Sequence, residues 1–194
     1  MPSTKVTAAL FGLCAAVSTH VVAQQAVLPG ELFRGPVLEI RAPASSGWYL
    51  LRSGGRETSF ISRDQGSGST YVAEVYFVPL QRNSDAEIMG FAKMRMQARA
   101  PAPRYITIAS NFEATSERPY PCVRFRGTIR DTKAMTPQGT ASLPIYVRSL
   151  VCMHPRQTDL LLDIGFSQRG GIVDSNLDAR AESFMSGVQV PQGQ

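Results

Sequence analysis

Two cysteines that are far apart in the sequence offer the clearest chemistry in this chain. Cys122 and Cys152 lie on either side of a break at Met135-Thr-Pro-Gln-Gly139, and the midpoint between them is residue 137. If two antiparallel strands fold back at that break, the two sulfur atoms lie opposite each other. This geometry suits a cross-strand disulfide bond. The sequence therefore predicts a Cys122–Cys152 disulfide between neighbouring strands.

The same register places a group of basic side chains on the face that carries the disulfide. Odd positions pair apolar residues, such as Val123 with Val151, and are expected to face the core. Even positions form what we call the arginine face: Arg124, Arg126, Arg130, Tyr146 and Arg148.

Arg126 is expected directly opposite Arg148 in this register. Like charges in that position destabilise a sheet, so a neutralising carboxylate or bound anion is expected nearby. Asp163, on the next predicted strand, is the internal candidate. Two interpretations stay open: a solvated face with local Arg–Asp pairs, or an anion- or partner-binding patch for an acidic protein, lipid headgroup or polyanion.

Other residues suggest weaker hypotheses. Trp48 follows Gly47, and we expect it either to pack under a sheet edge or to line a ligand groove between sheet and helix. Lys93, Arg95, Arg99 and Arg104 cluster near the end of a predicted helix, where the helix dipole favours cations.

Catalytic and metal chemistry have little support in the sequence. His154 lies in a predicted turn, and a single histidine does not provide the three or four ligands of a zinc site. A hydrolase that used His154 with Ser149, Ser167 and Asp159 is an alternative, but no G-x-S-x-G motif is present. We therefore predict no catalytic residue, no metal and no cofactor.

The start of the chain predicts export. Lys5 precedes an apolar run over 8–17 that is too short to cross a bilayer, and Val21-Val-Ala23 suits signal-peptidase cleavage. Residues 1–23 are read as a signal peptide; the alternative is a lipoprotein anchored through Cys14. Cleavage would leave 171 of the 194 residues, no transmembrane segment and a net charge of +4, because Lys5 is lost from 20 basic residues against 15 acids. An oxidising periplasmic or extracellular location would favour the disulfide.

Hydrophobic periodicity predicts one α+β domain over 46–190, an antiparallel β-sheet packed against two helices. An arm over 24–45 with at most one strand precedes it, and a disordered tail over 191–194 follows. Strands are predicted at 48–51, 57–62, 71–78, 104–115, 120–130, 143–153 and 159–168. One helix opens with a capping box at Ser84 and Glu87 and runs to Arg99, with Ile88, Phe91, Ala92 and Arg95 on one face. A second is capped by Ser175, buries Leu177, Ala181, Phe184 and Met185, and ends at Gly187.

This order of elements, with Gly47-Trp48 and the strand-to-helix run Tyr71–Ala92, resembles the PsbP-like superfamily. That superfamily contains photosystem II extrinsic subunits, a nuclear Ran-binding protein and bacterial periplasmic envelope proteins. The resemblance covers most of 45–190. It implies an α/β sandwich that binds or assists other proteins and is not an enzyme.

Together these features predict an exported, non-catalytic binding or assembly factor of the cell envelope. Its expected partner is an envelope protein or an acidic ligand, and not nucleic acid. The main alternative is a periplasmic carrier of a small apolar or anionic ligand; a hydrolase is the third.

Overall fold

The computed structural model describes residues 25–80, 88–136, 138–157 and 159–191. The predicted signal peptide with Cys14, the capping box at Ser84 and Glu87, and the predicted tail apart from Pro191 lie outside these ranges.

The described chain forms strands and two helices whose order from Trp48 to the end of the second helix is the predicted one; the short strand after that helix was not predicted. The elements are β1 (Gln25–Val27), β2 (Leu32–Arg34), β3 (Glu39–Arg41), β4 (Trp48–Gly54), β5 (Glu57–Asp64), β6 (Ser69–Pro79), α1 (Ile88–Arg99), β7 (Tyr105–Thr115), β8 (Cys122–Thr136), β9 (Gly139–Met153), β10 (Leu160–Arg169), α2 (Leu177–Ser186) and β11 (Val188–Gln189).

Eight strands form one large sheet, which we call the main sheet, in the order β1-β4-β5-β6-β10-β9-β8-β7. Each neighbouring pair is antiparallel. Alternate side chains of β6 are buried, among them Tyr71, Ala73 and Val75, as expected for a strand whose side chains alternate between two faces. The α+β class, with an antiparallel sheet and two helices, is therefore as predicted.

Each helix packs on a different face of the main sheet. On one face, Ala92 and Met96 of α1 pack with Val123, Phe125 and other odd-numbered residues of β8 and β9. On the other face, α2 buries the four side chains predicted from its sequence, Leu177, Ala181, Phe184 and Met185.

The arginine face is consequently not a fully solvated surface. At the disulfide end, Cys122, Leu150 and Cys152 are buried with Phe166 and Phe184 in the core beneath α2. The alternation of arginines with apolar residues along β8 is typical of a strand with one solvent-exposed face. In the structure α2, which is distant from β8 in the sequence, covers part of that face.

The segment predicted as an arm is built into the protein. β1 pairs with β4, and β2, β3 and β11 form a second, three-stranded sheet. Leu38, Ile40 and Ala42 are each less than 5% exposed and belong to the core on the α2 side. The prediction of at most one strand therefore underestimated this segment, because its buried residues are few and separated by glycine and proline.

The helix ends agree in part with the sequence prediction. Asn176, and not Ser175, is the N-cap of α2, and the Asp174 carboxylate accepts the Asn176 backbone N–H at 2.8 Å. Gly187 ends α2 as predicted. No helix in the described ranges is long and apolar enough to span a bilayer.

Candidate functional site

The predicted disulfide is present between β8 and β9. Cys122 and Cys152 are bonded, with their Cα atoms 4.1 Å apart, and both residues are buried. The strand register is also the predicted one: Val123 lies opposite Val151, Gly127 opposite Val147 and Arg126 opposite Arg148. A single Cys–Cys pairing thus identifies correctly which residues of these two strands share a face.

Two members of the arginine face are neutralised from within the chain. Arg148 donates a hydrogen bond from Nε to the Asp178 carboxylate on α2. Arg124 binds two carboxylates: its Nε is 3.0 Å from Oε1 of Glu117, and its Nη2 is 3.0 Å from Oε2 of Glu182 on α2. Acidic residues of α2 therefore meet the arginines of the sheet that it covers.

These ion pairs change the titration of the acids. The hydrogen bond from Arg148 holds the pKa of Asp178 below its usual value, and the charges of Arg126 and Arg124 lower it further. The hydrogen bonds from Arg124 likewise lower the pKa of Glu117. Only 11% of the Arg124 side chain is exposed, so this residue is a structural element of the α2 interface.

The other two arginines are in a different environment. Arg126 and Arg130 are exposed, and neither makes an ion pair or side-chain hydrogen bond with any residue that the structure describes. Tyr146 lies two residue pairs from the Arg126–Arg148 pair, opposite Thr128, and is half-buried against the core. Arg126, Arg130 and Tyr146 thus form the accessible part of the arginine face.

The prediction that Asp163 neutralises Arg126 and Arg148 is wrong. Asp163 lies opposite Val151 and is therefore on the α1 side of the main sheet, away from Arg126 and Arg148. It is fully buried and binds Nε of Arg95 at 2.8 Å and Nη1 of Arg99 at 3.1 Å. Ser149 donates its hydroxyl hydrogen to the same carboxylate at 3.3 Å.

This buried polar cluster extends to the neighbouring strands. Arg99 also pairs with Glu74, and the guanidinium carbons of Arg95 and Arg99 lie 4.9 and 5.3 Å from the centre of the Tyr76 ring. Burial, together with the charge of Glu57, raises the pKa of Tyr76 to about 12. The cluster joins α1 to β6 and β10, so Arg95 and Arg99 bind the sheet rather than the helix end.

Arg104 likewise binds a buried carboxylate on the α1 side of the main sheet. Its Nε and Nη2 bind the two oxygens of the buried Asp131, each at 2.9 Å. The backbone N–H of Lys133 also donates to Asp131. The hydrogen bond from Arg104 is the largest cause of a lowered pKa at Asp131.

Trp48 does not line a ligand groove. Only 1% of the residue is exposed, its Nε1–H donates to Oγ of Ser45 at 3.0 Å, and its ring lies 5.8 Å from the ring of Phe166. Its interior position matches the packing alternative that the sequence left open, and the ligand-groove hypothesis for Trp48 is wrong.

His154 is held by backbone groups. Its Nδ1 accepts the N–H groups of Arg156 and Gln157 at 3.2 and 3.0 Å, and Nε2 lies 3.4 Å from the carbonyl oxygen of Val37. The ring is 3% exposed and stabilises the turn between β9 and β10. Ser149 binds Asp163 instead, so these residues do not form the arrangement that a serine hydrolase requires.

The chain is thus an α+β protein with a helix on each face of its large antiparallel sheet and a partly accessible arginine face. No family model matches the chain, and no curated protein matches it significantly. The solved structures that resemble it weakly include two of Mog1 proteins. The Ran-binding protein Mog1p of Saccharomyces cerevisiae is 12% identical, with 84% of this chain and 96% of that chain covered and a TM-score of 0.46. A mutant of Mog1 is 13% identical, with 86% and 95% covered and a TM-score of 0.45.

The assignment to the PsbP-like superfamily is corrected by these comparisons. It rested on the order of elements, and no family model supports it; the two solved structures named above are Mog1 proteins, and similarity this weak does not establish a family.

Proposed function

We propose that this chain is an exported, non-catalytic binding or assembly factor of the cell envelope, and that it binds an acidic partner through Arg126 and Arg130. The observation that carries the proposal is the division of the arginine face. Carboxylates of the chain itself neutralise Arg124 and Arg148, whereas Arg126 and Arg130 are exposed and have no ion-pair partner in the described ranges.

Electrostatics supports an acidic partner over a neutral one. Arg126 lies directly opposite Arg148, and Asp178 forms an ion pair with Arg148 but not with Arg126, so a further carboxylate or other anion near Arg126 would reduce the remaining repulsion. Arginine also forms paired hydrogen bonds with carboxylates and phosphates, which adds geometric specificity. Such a partner would gain binding energy and would at the same time stabilise the sheet.

Export is supported by the disulfide. Cytosolic proteins rarely retain disulfides, whereas envelope and extracellular proteins commonly do. The buried Cys122–Cys152 bond joins β9 to β8, the strand that carries Arg126. The periplasm or the extracellular space is therefore the compartment that we propose, after removal of residues 1–23.

The test is affinity capture from an envelope extract with the oxidised mature chain. Arg126→Glu plus Arg130→Glu should abolish capture of the wild-type partner while the melting temperature changes little, since both side chains are exposed. Arg56→Glu plus Arg63→Glu is the matched control: it makes the same charge change at exposed positions on the β4–β5 side of the main sheet. If the control loses the partner equally, net charge and not this face determines binding.

A carrier of a small apolar or anionic ligand is the second candidate. A cavity of about 390 Å³ lies between the three-stranded sheet and the β4–β5 turn, with Phe33, Leu38, Ile40 and Phe77 in its lining and Arg34 among its polar residues. This volume is in the range of small-molecule sites. Native mass spectrometry of the protein isolated without denaturation would detect a retained ligand.

A further inference from the structure

The outermost strand next to the arginine face is open to pairing. β7 contains 11 residues and forms one edge of the main sheet, whereas the other edge, β1, contains three. In the part of the chain that the structure describes, no strand pairs with the outer side of β7. Most of its residues are exposed, including the apolar Ile106 and Ile108.

β7 lacks the usual protection of an edge strand. Natural edges are commonly blocked by lysine, proline or inward-pointing charges. β7 contains neither lysine, arginine nor proline, and Glu113 is its single charged residue. A bulge lies between Thr107 and Ala109, but the seven residues from Ala109 to Thr115 pair with β8 without a register shift.

On the α2 side, this edge lies next to the two accessible arginines. Asn111 of β7 lies opposite Arg126, and Ile106 lies opposite Arg130. A strand added outside β7 would be two strand spacings from β8, about 10 Å. The side chains of Arg126 and Arg130 can span this distance toward acidic side chains of the added strand.

On the α1 side, the same edge borders a partly apolar cavity. Met96 of α1 and Phe112, Phe125 and Ile129 of the sheet form the apolar lining of this cavity of about 400 Å³. Its polar lining is formed by Lys93 and Gln97 of α1 and by Thr107 and Ser110 of β7. The rings of Phe112 and Phe125 lie 4.7 Å apart. Apolar side chains of an added strand would be buried on this side.

We infer that the acidic partner binds as an extended strand that pairs with β7. Its alternate side chains are acidic toward Arg126 and Arg130 and apolar toward the cavity beside Phe112. Backbone hydrogen bonds to an open edge provide affinity, and the alternating side chains provide specificity. This inference rests on the proposed function and adds the conformation and sequence pattern of the partner.

The test uses three fluorescent ten-residue peptides and the oxidised mature chain. One peptide alternates Glu and Val, the second is the same peptide N-methylated at each Val, and the third is N-methylated at each Glu. N-methylation preserves charge and removes the donors on one side of a strand. Fluorescence anisotropy measures the three dissociation constants.

Strand addition predicts that the unmethylated peptide binds and that at least one methylated peptide binds about tenfold more weakly, or worse. Arg126→Glu plus Arg130→Glu should weaken the unmethylated peptide by at least about tenfold, whereas Arg56→Glu plus Arg63→Glu should not. If the three peptides bind the wild type equally and all bind the Arg126→Glu plus Arg130→Glu variant more weakly, strand addition is overturned. The proposed function would then still stand. Failure of every peptide to bind would also overturn strand addition.

A second copy of the chain is the competing occupant of this edge. Sedimentation velocity of the mature chain should show a monomer, with no difference between Ile108→Lys on β7 and the control Ile172→Lys, which changes an exposed isoleucine after β10. A dimer that Ile108→Lys alone dissociates would assign the edge to self-association and would contradict the inference.

Discussion

Arg126 on β8 lies directly opposite Arg148 on β9, and in the described chain only Arg148 has a carboxylate partner. The partner is Asp178, on a helix that begins eight residues after β10 ends. α2 therefore determines which arginines are structural and which are available to a partner. The following predictions test the interactions on which this division depends.

Arg124 should contribute to stability and Arg126 should not. Arg124→Ala removes hydrogen bonds to Glu117 in the β7–β8 connection and to Glu182 of α2, and we expect a loss of about 1–2 kcal/mol in the free energy of unfolding. Arg126→Ala should change it by less than about 0.5 kcal/mol. Urea denaturation of both variants measures the difference; equal losses would show that α2 does not hold Arg124 as described.

The disulfide should make a large contribution to stability. The two cysteines are 30 residues apart, and the chain-entropy estimate for closing a loop of that length is about 3.5 kcal/mol. Cys122→Ala plus Cys152→Ala should lower the free energy of unfolding by roughly this amount, measured by urea denaturation without reductant. Dithiothreitol should destabilise the wild type and leave the variant unchanged. A loss below about 1 kcal/mol would contradict the estimate.

Asp163 should be essential for packing of α1. Asp163→Ala leaves the guanidinium groups of Arg95 and Arg99 without their buried carboxylate, and we expect a loss of about 3 kcal/mol in the free energy of unfolding. Asp159→Ala, at an exposed position four residues earlier, is the control and should change stability by less than about 0.5 kcal/mol. Similar melting temperatures for the two variants would show that the buried cluster is not stabilising.

Asp131 should make stability depend on pH. Hydrogen bonds from Arg104 hold the pKa of Asp131 below that of the unfolded chain, so its contribution is present above the unfolded value of about 4 and is lost as pH falls through the folded value. The difference in unfolding free energy between wild type and Asp131→Asn should therefore shrink as pH is lowered below about 4. Denaturation series across this range measure it. A difference that grows on acidification would mean that the pKa is raised.

The sequence predicted the β8–β9 register because Cys122 and Cys152 are symmetric about the break near residue 137. It did not predict the position of Asp163, because the β9–β10 register has no such marker. In the structure Asp163 pairs with Val151, which places it on the odd-numbered face with α1. A turn one residue longer would have placed it on the arginine face.

The coverage of the arginine face by α2 left one signal in the sequence. Asp178 and Glu182 are four residues apart, so they share a face of α2, and that face meets Arg148 and Arg124. A charged stripe on a helix is also typical of a solvent-exposed surface. The pattern alone therefore could not distinguish contact with the sheet from contact with water.

The most direct test compares two charge-reversed pairs of the arginine face in one experiment. Arg126→Glu plus Arg130→Glu and Arg124→Glu plus Arg148→Glu make the same change in net charge, and each variant is measured for thermal melting and for capture of the wild-type partner. We predict that the Arg126→Glu plus Arg130→Glu variant loses the partner and keeps its melting temperature. The Arg124→Glu plus Arg148→Glu variant should have a lower melting temperature, because Glu182 and Asp178 then face like charges. Retained capture by the folded Arg126 and Arg130 variant would contradict the account.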